Sequence, residues 1–212
     1  MISVRCSELE SVRENPTAHG QILAANGIKT GGGRGMLACV REVALAMGKD
    51  GFTVSEGVKQ IQQKFLTFSP TTENQERQEE LIQGFIAYHE QLKKHQLEFI
   101  DGSRRMKWDF SKDTRLTGLT PWVFASDRTY YALSLSEANT AWQHQLKYPL
   151  YQQYLTDHII NCPLSALNVG VFCLQTGQFE FKSFDEESVE TSINETAQIL
   201  NTVLSSFNKY KN

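Results

Sequence analysis

The sequence predicts an α/β protein in which helices flank a central mixed sheet that is largely antiparallel. Three observations predict this class. Apolar residues recur at helical spacing between residues 36 and 95, β-branched and aromatic runs separated by turn residues occupy 97–135 and 167–182, and an amphipathic helix closes the chain. With 212 residues and 40% hydrophobic content, the chain can bury one substantial core. We expect a single domain over 1–212, with 1–95 mainly helical and 96–212 a sheet core with helices.

Breaking and capping residues set the limits of the elements. Asn15-Pro16 stops a short first helix, Gly48 stops the next helix, and Asp185 is the N-cap of the last helix. Pro149 must kink its helix or begin a new segment, because its ring clashes with the preceding turn. We predict helices over 7–14, 36–47, 54–65, 73–95, 138–159 and 186–207. We predict strands over 97–100, 104–110, 116–124 and 130–135, read as an antiparallel meander, and a hairpin of 167–174 and 178–182.

Composition excludes several classes of function. The net charge of −3 and the pI of about 6.0 produce no global field for a polyanion, so any nucleic-acid contact needs a local patch. The four cysteines form no C-x-x-C pair, which argues against a zinc ribbon and fits reduced thiols in the cytoplasm. The N-terminus has no apolar signal region and no run reaches the ~18 apolar residues of a membrane span. We therefore expect a cytoplasmic protein that does not enter a membrane.

Two features point only weakly to a ligand. The run Thr30-Gly-Gly-Gly-Arg-Gly35 precedes a helix, where backbone N–H groups can hold a phosphate, but it lacks the lysine and the spacing of the known phosphate loops. The five histidines form no zinc-spaced pair with an acid between them. A flexible turn and a polar helix surface explain these residues equally well.

Four segments follow the order of a known set of motifs. Gly35-Met-Leu-Ala-Cys39 opens a helix, Gly118-Leu-Thr-Pro121 lies in a strand region, and Lys147-Tyr-Pro-Leu-Tyr151 lies in a helix. The strand between them offers Ala132 with Ser134 or, in a second register, Ser134 with Ser136. These segments resemble the RecB-like branch of the PD-(D/E)XK nuclease superfamily, whose motifs are G-x-x-x-H, G-x-x-D, D/E-x-K and Q-x-x-x-Y. The resemblance implies a restriction-endonuclease-like core with an N-terminal helical segment.

The motif residues that perform the family's chemistry are replaced. Magnesium is a hard ion held by oxygen ligands, and two strand carboxylates must present it to the scissile phosphate. Cys39, Pro121, Ala132 and Ser134 supply no carboxylate, and serine lacks the positive charge of the motif lysine. Some relatives hold an iron–sulfur cluster on one early and three late cysteines, whereas here only Cys162 and Cys173 are late. We therefore expect no catalytic residues, no metal and no cofactor.

Relocated carboxylates are the alternative. Glu98 lies on the first strand of the meander, Glu137 follows its last strand, and Asp127 and Asp109 are further acids nearby. Glu98 with Glu137 or Asp127 would restore a magnesium site and an active nuclease. Solvated strand ends and turns explain the same acids without a metal.

A basic run is the best sequence signal for a polyanion. Strand alternation places Arg105 and Lys107 on one face, where they can contact phosphates while the other face packs. A solvated hairpin explains the same residues without a ligand. The run consists of Arg104, Arg105, Lys107, Lys112 and Arg115, interleaved with Trp108 and Phe110 and opposed by Asp109 and Asp113.

Three hypotheses for the function follow. The first is a catalytically inactive nuclease-fold subunit that binds DNA or RNA, or helps to assemble a nucleic-acid-processing or phage-defence complex with a protein partner. The second is an active divalent-metal nuclease with relocated carboxylates. The third is a protein–protein adaptor without nucleic-acid contact.

Overall fold

A computed structural model describes residues 1–26, 35–138 and 140–211. Within these ranges the chain forms seven α-helices and eight β-strands in an α/β arrangement. The helices are α1 (Leu9–Glu14), α2 (Pro16–Asn26), α3 (Met36–Asp50), α4 (Val54–Phe65), α5 (Thr72–Lys94), α6 (Lys147–Leu155) and α7 (Glu186–Lys211). The strands are β1 (Ile2–Arg5), β2 (Glu98–Asp101), β3 (Arg105–Asp109), β4 (Thr114–Leu119), β5 (Trp122–Ser126), β6 (Thr129–Ser136), β7 (Leu167–Cys173) and β8 (Gln178–Lys182).

The strands form two mixed sheets, a three-stranded sheet in the order β1-β4-β3 and a five-stranded sheet in the order β2-β5-β6-β7-β8. In the larger sheet β6 and β7 are parallel and their crossover contains α6, while the other neighbours are antiparallel. Helices cover the sheets, so the predicted α/β class is confirmed. Among the described helices, none has both the length and the apolarity to span a bilayer.

One predicted strand is wrong, because residues 116–124 form two strands in different sheets. β4 ends at Leu119 and β5 begins at Trp122, so Thr120 and Pro121 carry the chain between the sheets. Pro121 has no N–H to donate to a ladder. The Thr120 N–H donates to the Arg104 carbonyl (2.9 Å), and the Thr120 hydroxyl accepts from the Arg104 N–H (3.1 Å). These bonds fasten the crossing to the residue before β3.

The N-terminal part contains two elements that the sequence did not predict. β1 pairs in parallel with β4, with Val4 opposite Leu116. Asn15-Pro16 does stop the first helix, but it also starts α2: the Asn15 side chain accepts from the Ala18 N–H (3.0 Å), and proline suits the first helical position. α2 then packs closely on α7. A methyl group added at Gly20 would lie 2.5 Å from the Val203 carbonyl oxygen, so only glycine fits there.

Side-chain alternation along the five-stranded sheet builds a core on each face. Ala132, Val169 and similar residues point to α6, α7 and the small sheet, whereas Leu133, Leu135 and Phe172 point to α3, α4 and α5. Consecutive residues of β6 therefore serve different cores. This places the end of β6 between α3 on one side and α6 on the other.

Several helix limits agree with prediction, but α1 begins at Leu9 and not at residue 7, and α7 continues past residue 207 to Lys211. α4 is confirmed in full and begins with a capping box between Thr53 and Glu56, and α7 is capped by Asp185, which accepts from the Ser188 N–H (2.8 Å). α3 continues past Gly48 to Asp50, and Gly51 adopts the left-handed conformation at φ 70° instead. The helix predicted over 138–159 is a short 3-10 turn at 142–144, then α6 and a π-helical turn at 156–160.

Candidate functional site

Two of the motif positions lie near the point where the chain passes from β4 to β5. Pro121 directly precedes Trp122, the last β5 residue of the β5–β6 ladder, which lies opposite Leu133. Ser134 follows Leu133, and Ser134 and Ser136 are half-buried at the end of β6. Ala132 pairs with Val123 and is only 1% exposed in the core.

α3 brings Arg41, which the sequence interpretation did not single out, to the same strand end. Cys39 is buried in the core, but the guanidinium of Arg41 donates to the Leu135 carbonyl (2.5 Å). The Ser136 carbonyl accepts from the Leu174 N–H on the β7 side. The Leu135 carbonyl therefore points to the opposite side of β6, where the paired part of β5 does not reach it. Arg41 therefore satisfies a carbonyl that the sheet leaves unpaired.

α6 contacts the N-terminal segment. Lys147 and Tyr148 lie in the first turn of α6, and Tyr151 hydrogen-bonds to Cys6 from the 3-10 turn after β1. Burial raises the pKa of the Cys6 thiol to about 12 and that of Tyr148 to about 12, and it raises the pKa of Tyr151 well above its ordinary value. All three groups are therefore neutral at neutral pH. They offer hydrogen bonds but no negative charge.

Burial and nearby charges shift the pKa of two cations, Arg41 of α3 and Lys147 of α6. Burial is the main cause that lowers the pKa of each. The charge of Glu10 raises the pKa of Lys147, and the charge of Arg41 lowers it. Arg41 is solvent-accessible, but the surrounding protein displaces much of its hydration.

The structure separates the acids proposed to replace the missing ligands. Glu98 is exposed and lies opposite Ala125, and Asp127 is exposed in the β5–β6 turn at the same end of the sheet. Glu137 follows the other end of β6, roughly 23 Å along the strand at about 3.3 Å per residue. It forms a two-point ion pair with Arg77 (2.6 and 2.8 Å). Across the described ranges, no three His, Cys, Asp or Glu side chains are placed to share a metal ion.

The basic run lies on the outward face of the three-stranded sheet. Met106 is fully buried and Trp108 packs against Tyr154, with ring centroids 6.1 Å apart, so both belong to the inner face. Arg105 and Lys107 point outward and are exposed, as alternation predicts. The aromatic residues of the run are therefore part of the core and are not free to stack on bases.

Neighbouring strands extend this outward face beyond the predicted run. Lys107 lies opposite Thr117, which lies opposite Arg5, and Arg105 lies opposite Leu119, which is 60% exposed. Arg5 was missed because β1 was not predicted. The basic face is defined here by Ser3 and Arg5 of β1, Arg115, Thr117 and Leu119 of β4, and Arg105, Lys107 and Asp109 of β3.

Ion pairs neutralise part of the basic face. Arg115 pairs with Asp109, whose pKa the hydrogen bond from Arg115 lowers. Arg104, at the rim, pairs with Asp101. In the part of the chain that the structure describes, Arg105 and Lys107 form no ion pair, and Lys112 is exposed in the β3–β4 turn. Arg105 and Lys107 thus carry the uncompensated charge.

The chain matches no known family model and no curated protein. The resemblance to the PD-(D/E)XK superfamily therefore remains a prediction. The glycine-rich run from Thr30 to Arg34 lies outside the described residues.

Proposed function

We propose that the protein is a non-catalytic, nuclease-like subunit that binds DNA or RNA through its basic face. The observation that carries the proposal is the arrangement of four cations, Arg5, Arg105, Lys107 and Arg115, on one sheet face. Arg115 pairs with Asp109 and Arg5 pairs with Glu8, so Arg105 and Lys107 carry most of the available charge. Successive outward residues on a strand are ~6.6 Å apart and neighbouring strands are ~4.8 Å apart, so these cations form a two-dimensional array. Such an array can contact several phosphates of one nucleic-acid backbone without reading its sequence.

The chemistry of the motif positions supports the non-catalytic part of the proposal. Pro121, Ser134 and Ser136 supply no carboxylate where the PD-(D/E)XK motifs use two, and magnesium requires oxygen ligands of that kind. Arg41, which donates to the Leu135 carbonyl, adds positive charge nearby, which disfavours a bound cation electrostatically. We further propose that the subunit acts in the cytoplasm with a protein partner that supplies the catalytic activity, in nucleic-acid processing or phage defence.

The test is nucleic-acid binding as a function of salt concentration. Fluorescence anisotropy with single- and double-stranded DNA and RNA compares the wild type with the Arg105→Gln/Lys107→Gln variant. Each lost phosphate contact reduces the slope of log K against log[salt] by about 0.9 on duplex DNA, so the double variant should lower the slope by about two. The Arg128→Gln/Lys59→Gln variant removes one arginine and one lysine away from the basic face and should bind like the wild type.

Three results would contradict the proposal. An unchanged affinity and salt slope in the Arg105→Gln/Lys107→Gln variant would remove the basic face as the binding surface, and no binding to any nucleic acid would favour the adaptor hypothesis. Magnesium- or manganese-dependent cleavage by the wild type, lost in Glu98→Ala, would establish a nuclease with relocated carboxylates.

A further inference from the structure

The three-stranded sheet ends at β1, so one edge of that strand has no neighbouring strand. β1 pairs with β4 alone, in the order β1-β4-β3. The Ile2 N–H donates to the carbonyl of Asp113 (2.8 Å), the residue directly before β4. In a strand, the N–H and C=O of one residue point to the same side, and those of the next residue point to the opposite side. The backbone groups of Ser3 therefore point away from β4.

The backbone of Ser3 is unpaired on this open edge. The Ser3 hydroxyl lies 3.2 Å from the Thr117 hydroxyl within the sheet. Its N–H and C=O, in contrast, have no hydrogen-bond partner within the described ranges. Ser3 is half-buried, so the surrounding protein also limits its contact with water. An extended segment laid along β1 would supply the donor and the acceptor that Ser3 lacks.

An apolar cavity of about 250 Å³ lies beside this edge. Ser3 lines it together with Leu23 and Ala24 of α2 and Phe207 of α7. Met1 also lines the cavity and is 70% exposed. The open edge of β1 and the cavity therefore form one surface, which we call the β1 groove. An exposed apolar surface of this kind is typical of a binding site for another chain.

A lysine gives the rim of the β1 groove a positive charge. Lys211, near the end of α7, lines the cavity, and its ammonium lies 5.1 Å from the centroid of the Phe207 ring. Lys211 forms no ion pair in the described part of the chain, and none of the described residues that line the cavity is acidic. The ammonium therefore keeps its donors for a carboxylate of a bound molecule.

We propose that the β1 groove binds an extended segment of a partner protein, with one apolar side chain in the cavity and an acidic residue nearby. The segment adds to β1 as a further strand, and its backbone pairs with the N–H and C=O of Ser3. Residues two positions apart in a strand lie on the same face. An acidic residue two positions from the apolar anchor can therefore reach Lys211. This groove is separate from the nucleic-acid proposal, and a failure of nucleic-acid binding would leave it unaffected.

Selection of a random peptide library on the 212-residue chain supplies a probe. We expect the selected peptides to share an apolar residue with an acidic residue two positions away. Fluorescence anisotropy then measures the affinity of one selected peptide for each variant. Ser3→Pro removes the outward N–H, which an edge strand tolerates, and should weaken binding ~2- to 10-fold, the range for one hydrogen bond. Ser3→Ala keeps this N–H and should bind like the wild type.

A second pair of variants tests the cavity. Ala24→Glu places a carboxylate in the cavity and should weaken binding at least ~10-fold, because it occupies the apolar space and repels an acidic peptide. Ala25→Glu adds the same charge at the next residue of α2, which is exposed and does not line the cavity, so it should bind like the wild type. Lys211→Gln should weaken binding ~2- to 5-fold, and the effect should shrink at high salt.

The proposal is overturned if the selected peptides share no such pattern, or if Ser3→Pro and Ala24→Glu bind the peptide as the wild type does. If Ser3→Pro does not fold, amide hydrogen exchange of the wild type, followed by NMR, decides the result. The Ser3 amide should exchange more slowly when the peptide is bound, and an unchanged rate would overturn the proposal.

The basic face is the competing site for an acidic peptide. Arg105 and Lys107 lie on β3, roughly 14 Å from a strand added to β1 at ~4.8 Å for each strand. The Arg105→Gln/Lys107→Gln variant should therefore keep its affinity for the peptide. A loss as large as that of Ala24→Glu would place the peptide on the basic face and overturn the proposal.

A second copy of the chain is the competing occupant of the β1 groove. Analytical ultracentrifugation without peptide should find a monomer at the concentrations at which the peptide binds. A dimer that Ser3→Pro dissociates would assign the edge of β1 to pairing between two copies. That result would overturn the proposal of a partner segment.

Discussion

Replacing Gln152 with leucine should strongly destabilise the fold. Gln152 is 0% exposed on α6 and holds the segment that leads from β8 into α7. Its side-chain N–H groups donate to the carbonyls of Leu164 (3.0 Å) and Phe184 (3.1 Å), and its oxygen accepts from the Phe184 N–H (2.8 Å). Leucine has a similar volume but leaves the two buried backbone groups of Phe184 and the partly buried carbonyl of Leu164 without this partner. At ~1–3 kcal/mol for each unsatisfied group, and with partial relaxation, we expect a loss of ~3–6 kcal/mol.

Urea unfolding followed by circular dichroism measures this loss, and an unchanged m-value would show that the two unfolding transitions can be compared. Gln153→Leu is the matched control: Gln153 is the next residue of α6, is half-buried, and bonds only to Asp157 at the surface (2.7 Å). Its cost should stay below ~1 kcal/mol. A loss in Gln152→Leu no larger than that of the control would refute the claim that this side chain fastens α6 to the β8–α7 segment.

Three further outcomes are expected. Gly20→Ala should cost ~1–3 kcal/mol in urea unfolding because its methyl group meets the α7 backbone, whereas Gly35→Ala, with open space around the added atom, should cost less than ~1 kcal/mol. Hydrogen bonds from the first turn of α7 lower the pKa of Asp185 below 3.8, so its ionised form stabilises the fold above that pH. This contribution should disappear as the pH falls through the folded-state pKa of Asp185. The free energy of unfolding, measured at a series of acidic pH values, should therefore depend less on pH in Asp185→Asn than in the wild type. In the native protein iodoacetamide should label Cys162 long before Cys6, whose pKa of about 12 leaves almost no thiolate at neutral pH; mass spectrometry that finds Cys6 labelled first would contradict its burial.

Long periodic helices were predictable from sequence because local signals agree there. The apolar stripe from Val54 to Phe65 follows the Thr53 cap, and Glu56 in its first turn completes the capping box. A turn follows Phe65, so local signals define both ends of α4. The helix predicted over 73–95 differs by one residue at each end from α5. The distribution of the strands between sheets was not predictable in the same way. Local propensity indicates that residues 116–124 are extended, but the partners of β4 and β5 are distant in sequence and decide which sheet each joins.

The candidate sites show the same division between local and distant information. Alternation correctly placed Arg105 and Lys107 on one face, because it needs only the strand itself. Arg5 joined that face only through the pairing of β1, a strand too short for a periodic signal. Arg41 reaches the end of β6 from α3, and no spacing along the chain encodes that contact.

The parallel pairing of β1 with β4 constrains how the protein can be synthesised. The hydroxyls of Ser3 and Thr117, which join these strands, are 114 residues apart in sequence. During translation β1 emerges before β4, so its place in the small sheet does not exist until β4 has left the ribosome. Loop closure over such a separation is slow and entropically costly. The apolar side chains of Ile2 and Val4, which are buried in the fold, therefore lack their sheet partner until β4 has been made.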